Sequence, residues 1–266
     1  MNRRFNYNLL IGYILVGFII LIMIIDIFYT PYDPNKMNVA ERFGAPSIRH
    51  FLGTDNFGRD IFSRIIDGTK TTLSVAISTV FFGTFFGVIF GAISGYFGGF
   101  IDEIIMRIND ALIAFPGILL ALVIVTTLGQ GKYQIILALG IIFTPSFSRI
   151  TRSEFLKVKQ QDFIRSAEVF GASPFRIMFV HILPNIYPTL LSAITIGFSN
   201  AILSESALSF LGLGVKPPDP SWGRMLSEAQ AYLFNAPWYA IASGTIIAIT
   251  VLGFNFIGEG LRKIYG

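Results

Sequence analysis

Six stretches of the chain run without Asp, Glu, Lys or Arg: residues 9–25, 71–101, 111–131, 133–148, 182–204 and 233–258. About 20 mostly apolar helical residues cross the hydrocarbon of a bilayer, so each stretch predicts a membrane-spanning helix. The second is longer than one crossing needs, and its glycine-rich end, Ser94 to Gly99, predicts a turn at the membrane surface. The fourth is short but extends to Ile150. The first follows Arg3 and Arg4, as a secretory or twin-arginine signal would. It is too long for the apolar region of a signal and no small-x-small site precedes Asp33, so it reads as a retained anchor.

Within the second stretch Gly83, Gly87, Gly91 and Gly95 repeat every fourth residue, which aligns them along one helix face. Close packing against another helix is the ordinary use of such a face in lipid; a smooth surface past which a solute or helix slides is the other. Lys and Arg set the orientation. With the N-terminus inside, 11 of the 20 fall on the cytoplasmic side, and only 3 on the other once the long charge-mixed segment 30–70 is set aside. Both termini are therefore expected in the cytoplasm.

Composition agrees with lipid as the solvent. The chain is 53% hydrophobic and 14% charged, with a mean hydropathy of +0.65, whereas soluble domains carry roughly a quarter charged residues. The absence of Cys excludes thiol catalysis, thiolate metal sites and disulfides, and His50 and His181 lie too far apart for a clustered zinc motif. The net charge of +4 is no nucleic-acid signal. The nearest approach to a phosphate loop, Gly129-Gln130-Gly131-Lys132-Tyr133, lacks the following Ser or Thr and the earlier glycine, and reads as a turn. Asp26, Asp110 and Glu205 lie near span ends, where a charge costs little. Glu205 either lines an external opening with Ser204 and Asn200 or is hydrogen-bonded at its helix end, and Asn109, Asp110 and Asn255 are placed for interhelical hydrogen bonds.

Three polar segments carry the chemistry. Residues 52–74 hold Gly53, Gly58, Asp55, Arg59, Asp60 and Arg64, a capped, charge-laced amphipathic helix in which Asp60 and Arg64 are spaced for an i,i+4 pair. The run Lys216-Pro217-Pro218-Asp219-Pro220-Ser221-Trp222 is rigid, since each Pro fixes its own φ and restricts its predecessor; Trp222 and Trp238 suit an interfacial belt. Residues 157–184 are helical in pattern, broken at Gly171 and Pro174, and predict two short helices at a bend. Their apolar knob of Ala167, Val169, Phe170 and Ala172, flanked by Arg165, Glu168 and Arg176, suits insertion into a partner's groove, a lie in the lipid headgroups being the other possibility.

The spacing of Ala167, Gly171, Leu183 and Pro184 resembles the cytoplasmic E-A-A-x-x-x-G-x9-I-x-L-P loop of ATP-binding-cassette (ABC) importer permeases. Arg165 stands at the usual Glu, Ser166 at the first Ala and His181 at the Ile. Residues 52–74, the stretch ESALSFLGLGVKPPDPSWGRMLSEA (205–229) and the end FNFIGEGLRKIYG are similar to the C-type subunit of the dipeptide, oligopeptide and nickel permeases. That resemblance implies an all-α integral membrane protein with six transmembrane helices in the type I, MetI-like importer permease fold. It divides into an anchor span and external amphipathic segment (1–70) and a five-span core (71–266) with a cytoplasmic coupling loop (151–183).

The resemblance further implies that Arg165, Ser166, Ala167, Glu168, Val169, Phe170, Gly171, Ala172 and Ser173 contact a nucleotide-binding ATPase subunit. Glu205, Pro217, Pro218 and Trp222 would stand at the external mouth, where an extracellular binding protein docks. The expected assembly adds a second homologous permease subunit and one or two ATPase subunits in a bacterial plasma membrane. ATP and Mg would reside on the partners, with no cofactor, metal or catalytic residue in this chain. Alternating access would carry di- or oligopeptides, nickel or other metal chelates inward, and peptide is the better expectation because no His- or Cys-rich lining is present. An ion-gradient-driven carrier is the rival, disfavoured because neither an internal repeat nor a mid-span carboxylate is visible. A membrane protease is weaker still, since Ser173 has only a loop setting.

Overall fold

The computed structural model describes residues 6–265, so Arg3 and Arg4 lie outside the described residues. All regular structure among them is helical, apart from one isolated bridge between Thr54 and Asp60. The helices are α1 (Tyr7–Phe28), α2 (Ile61–Phe97), α3 (Gly99–Ile113), α4 (Gly117–Leu128), α5 (Lys132–Lys159), α6 (Asp162–Val169), α7 (Pro174–Arg176), α8 (Leu183–Phe210), α9 (Trp222–Gln230) and α10 (Pro237–Tyr265). A π-helical turn, Ile177–Ile182, joins α7 to α8 without a break. It ends two residues before Pro184, which has no N–H for the carbonyl of Val180, so hydrogen bonding shifts by one residue there.

α1, α2, α5, the continuous helix Pro174–Phe210 and α10 are each long and apolar enough to cross a bilayer. The straight helix expected over 111–131 is replaced by a bent pair, which counts as a sixth span where its two halves are taken together. The halves are α3 and α4, which meet at 88°. The cause is Pro116, whose φ of −56° and ψ of 122° leave the helical region and whose ring disfavours helix at Phe115. The turn expected over Ser94 to Gly99 narrows to Gly98, with φ of +65°, and Gly99, while α2 continues to Phe97. Glycine is needed at both positions because their left-handed backbone crowds a Cβ.

α2 and α5 are packed along most of their length. All four glycines of the repeat are buried and face α5: a Cβ on Gly83 would lie 2.9 Å from Phe143 Cβ, on Gly87 2.5 Å from Phe147 Cβ, and on Gly95 2.7 Å from Phe155 Cβ. On Gly91 it would strike the backbone carbonyl of Ser148. Asn109 of α3 donates to Ser148 Oγ at 3.0 Å, an interhelical bond inside the apolar layer. α1 packs mainly on α10, where Asn6 Nδ2 donates to Gly260 O at 2.9 Å. That contact, the end of α2 and α6 all lie at one end of the bundle; α9 and residues 29–60 lie at the other.

Candidate functional site

At the first end, α5 runs past the apolar layer to Lys159, whose ammonium donates to Tyr96 O at 2.6 Å and ties the end of α5 to that of α2. After a turn at Gln160 and Gln161 comes α6. One residue of α6, Ile164, is fully buried and packs with Phe155, Ile177, Met178 and Ile182. This single anchor, missed in the sequence, fixes which face of α6 points outward. Val169 and Phe170 at its tip are 86% and 89% exposed, and Arg165, Glu168 and Arg176 are exposed beside them.

α6 ends in a Schellman-type cap: Ala172 N–H donates to Ala167 O at 3.0 Å and Gly171 takes φ of +77°. Ser173 then caps α7, its hydroxyl accepting from Arg176 N–H at 3.3 Å, and Pro174 takes the first helical position. The second of the two short helices expected here is therefore no separate element, since it runs through the π turn into α8. Arg165 reaches only Asp162 of its own helix, at 3.7 Å, with both side chains exposed.

The opposite end is fastened by buried charge. Arg59 pairs with Asp55 at 2.6 Å and with Glu228 of α9 at 3.1 Å, and Arg64 approaches the same two carboxylates at 3.6 and 3.5 Å. Arg224 and the Tyr239 hydroxyl also donate to Glu228, at 2.9 and 3.0 Å. The i,i+4 pair expected between Asp60 and Arg64 does not form. Asp60 instead caps α2, accepting from Ser63 N–H at 2.7 Å, and meets His50 Nδ1 at 2.8 Å, while the i,i+4 pair is Asp55 with Arg59. Capping satisfies a helix N–H that would otherwise be left unpaired, and it outcompetes a pair worth only a few tenths of a kcal/mol.

Burial alone would raise the pKa of Glu228, but Arg64, Arg59, Tyr239 and Arg224 together hold it below the ordinary value. A depressed folded-state pKa contributes stability that is present above the unfolded value and lost as pH falls through the folded one. Glu228→Gln should accordingly lower stability at neutral pH by about 3 kcal/mol, the lower end for removing one partner of a buried pair. Thermal melts of the detergent-solubilised protein should also show a shallower loss on acidification in the variant. An unchanged melting temperature at neutral pH would show that the network contributes nothing.

Two residues expected at the external mouth are internal. Trp222 is fully buried, donating from Nε1 to Ile65 O at 3.1 Å, and so belongs to the core and not to an interfacial belt. Glu205 is also fully buried, accepting from Ser209 Oγ at 2.7 Å. Neither side chain is available to a docking protein. Pro217 and Pro218 are exposed, and Trp238 is half-buried over Gly53. Asn200, five positions before Glu205 on another face of α8, is not brought together with it. Asn200 lines a cavity of about 600 Å³ between α5, α8 and the end of α10.

The profile described as "Binding-protein-dependent transport system inner membrane component" matches residues 87–266, about two thirds of the chain. The glutathione transport system permease protein GsiD of Salmonella typhimurium (strain LT2) is 46% identical over 264 residues, covering 98% of this chain and 86% of the relative. GsiD of Escherichia coli O6:H1 is 43% identical over 249 residues, covering 92% and 82%. In structure, the chain is similar to one of the MetNI methionine ABC transporter in an inward-facing conformation, with a TM-score of 0.63 at 19% identity over 76% of this chain and 95% of that one. The fold is thus that of an ABC importer permease, and the ion-driven carrier falls away. The chain belongs to the binding-protein-dependent transport system inner membrane components, as a multi-pass permease subunit of an ABC importer.

Proposed function

We propose that this permease imports a short peptide of the glutathione class, delivered by an extracellular binding protein and driven by a separate ATPase subunit. The observation that carries the reading is its 46% identity to a glutathione permease across 98% of the chain. A second, homologous permease completes the pathway. Both termini are cytoplasmic, a reading supported by the placement of Asn6 beside Gly260 at the end that bears α6. ATP and Mg reside on the motor, because nothing in this sequence forms a phosphate loop.

Residues Arg165, Ser166, Ala167, Glu168, Val169, Phe170, Gly171, Ala172 and Ser173 form the contact with that motor in this reading. Their outward apolar tip has a rigid base, Ile164, through which force passes to α5 and α8. Closure of the motor dimer moves this base, and the spans reorient between outward and inward openings. At the other end, Pro217 and Pro218 present a stiff exposed surface to the binding protein.

The test is uptake by proteoliposomes holding the complete complex with its binding protein. Labelled glutathione should accumulate with ATP and be indifferent to an ionophore. Accumulation of a nickel chelate with no peptide uptake would overturn the substrate, and collapse on ionophore addition would overturn the energy source.

A further inference from the structure

α5 carries Ser146, Arg149 and Ser153 three and four positions apart, hence on one face, and all three are exposed in the chain by itself. α8 presents Asn200 to the same cavity of about 600 Å³, and the end of α10 adds Arg262. Polar and ionised groups on membrane spans do not face hydrocarbon; they face the bundle interior or a water-filled cavity. This stripe therefore marks the wall that a solute meets. It lies toward the end of the bundle that bears α6, on the way out of the membrane.

The charge of the cavity is selective. Arg262 makes no ion pair among the described residues. Arg149 gives one terminal nitrogen to Asp110 at 2.5 Å and keeps the rest of its donor fork. The acid in the lining, Glu154, is already held by Lys157 at 2.5 Å. With Arg149 shared with Asp110 and Glu154 neutralised by Lys157, Arg262 leaves the cavity net positive, which favours an anion and disfavours a bare metal cation. Planar guanidiniums match carboxylates bidentately. The competition of Asp110 for Arg149 keeps that contact weak, as a pathway requires, because a site in transit must release what it binds.

We propose that this cavity is a transit subsite for small peptides bearing two carboxylates, with Arg149 and Arg262 as the carboxylate contacts and Ser146, Ser153 and Asn200 as hydrogen-bond partners of the peptide amides. The assignment rests on the peptide-import reading above and adds to it the substrate's charge. A lipid phosphate is the other anion that two arginines near a membrane surface would hold.

The measurement is a ratio: ATP-driven uptake of glutathione over that of its diethyl ester, in proteoliposomes of the complete complex with one binding protein throughout. The binding protein's own preference then cancels between variants, and so does partial loss of folded protein. Arg262→Gln, which breaks no hydrogen bond or ion pair among the described residues, should lower the ratio about tenfold, the value of one charge-assisted hydrogen bond. Arg262→Lys should restore most of it, and Arg149→Gln should act in the same direction.

An unchanged ratio in both glutamine variants overturns the subsite while leaving glutathione import standing. A fall in the uptake of both solutes alike that follows the anionic lipid content of the vesicles assigns the arginines to headgroup phosphate and overturns it as well. If the wild type imports no glutathione but prefers another acidic peptide to its ester, and Arg262→Gln erases that preference, the subsite stands and the glutathione reading falls.

Discussion

Gly91→Leu should remove the assembled permease from the membrane. A Cβ at this position strikes the Ser148 carbonyl and comes within 2.6 Å of Thr151 Cβ, and backbone does not yield as a flexible side chain does. α2 and α5 would have to separate, breaking the contact that organises the bundle, and overpacking of this kind costs roughly 3 kcal/mol or more. Alanine at the four glycines should grade the effect. Gly83→Ala is the mildest, with only Phe143 Cβ inside 3.0 Å, and Gly91→Ala the most severe. Gly244→Leu on α10, where nothing lies within 4 Å of the added Cβ, is the matched control. Membrane yield and the size-exclusion profile in detergent would read the series. Normal assembly of Gly91→Leu with transport abolished would favour the sliding-face role over packing.

The glycine repeat shows what a one-dimensional pattern conveys well. Lipid offers no hydrophobic drive for helix association, so close packing needs small residues at a helical period, and period is visible in sequence. The apolar runs were legible for the same reason: solvent and span length constrain them directly. Where the reading failed, a competitor for the same group went uncounted. Counting charges over 111–131 ignored Pro116, which turns the chain regardless of hydropathy. Pairing Asp60 with Arg64 by spacing ignored the unpaired N–H groups of α2, which claim Asp60 first. Placing Trp222 at the interface relied on a tendency of exposed indoles, whereas contacts with residues more than a hundred positions away bury this one. The polar stripe of Ser146, Arg149 and Ser153 was present in the sequence at helical spacing, but its significance depends on the wall that α8 and α10 complete.

Val169→Asp and Phe170→Asp should each leave a folded permease that no longer couples to ATP hydrolysis. Folding is spared because these side chains are 86% and 89% exposed, and the anchor that positions them, Ile164, is untouched. On the proposed motor contact, coupling is lost because an apolar tip in a partner's groove is the kind of desolvated anchor whose removal costs about 2 kcal/mol or more, and a carboxylate there would be buried without a partner as well. Uptake should fall by at least roughly thirtyfold per substitution, and the ATPase subunit should be retained less well on affinity purification. Ile164→Ala offers a contrast: it leaves the tip chemistry intact but opens a cavity under α6, so the complex should still form while ATP turnover and uptake come apart. Arg165→Glu, which restores the acid usual in the family, decides whether charge sets the docking register. If uptake survives, Arg165 does not fix it, and the apolar pair with its Schellman cap carries the contact. Full uptake with both aspartate variants, together with undiminished retention of the ATPase, would move the motor contact away from α6.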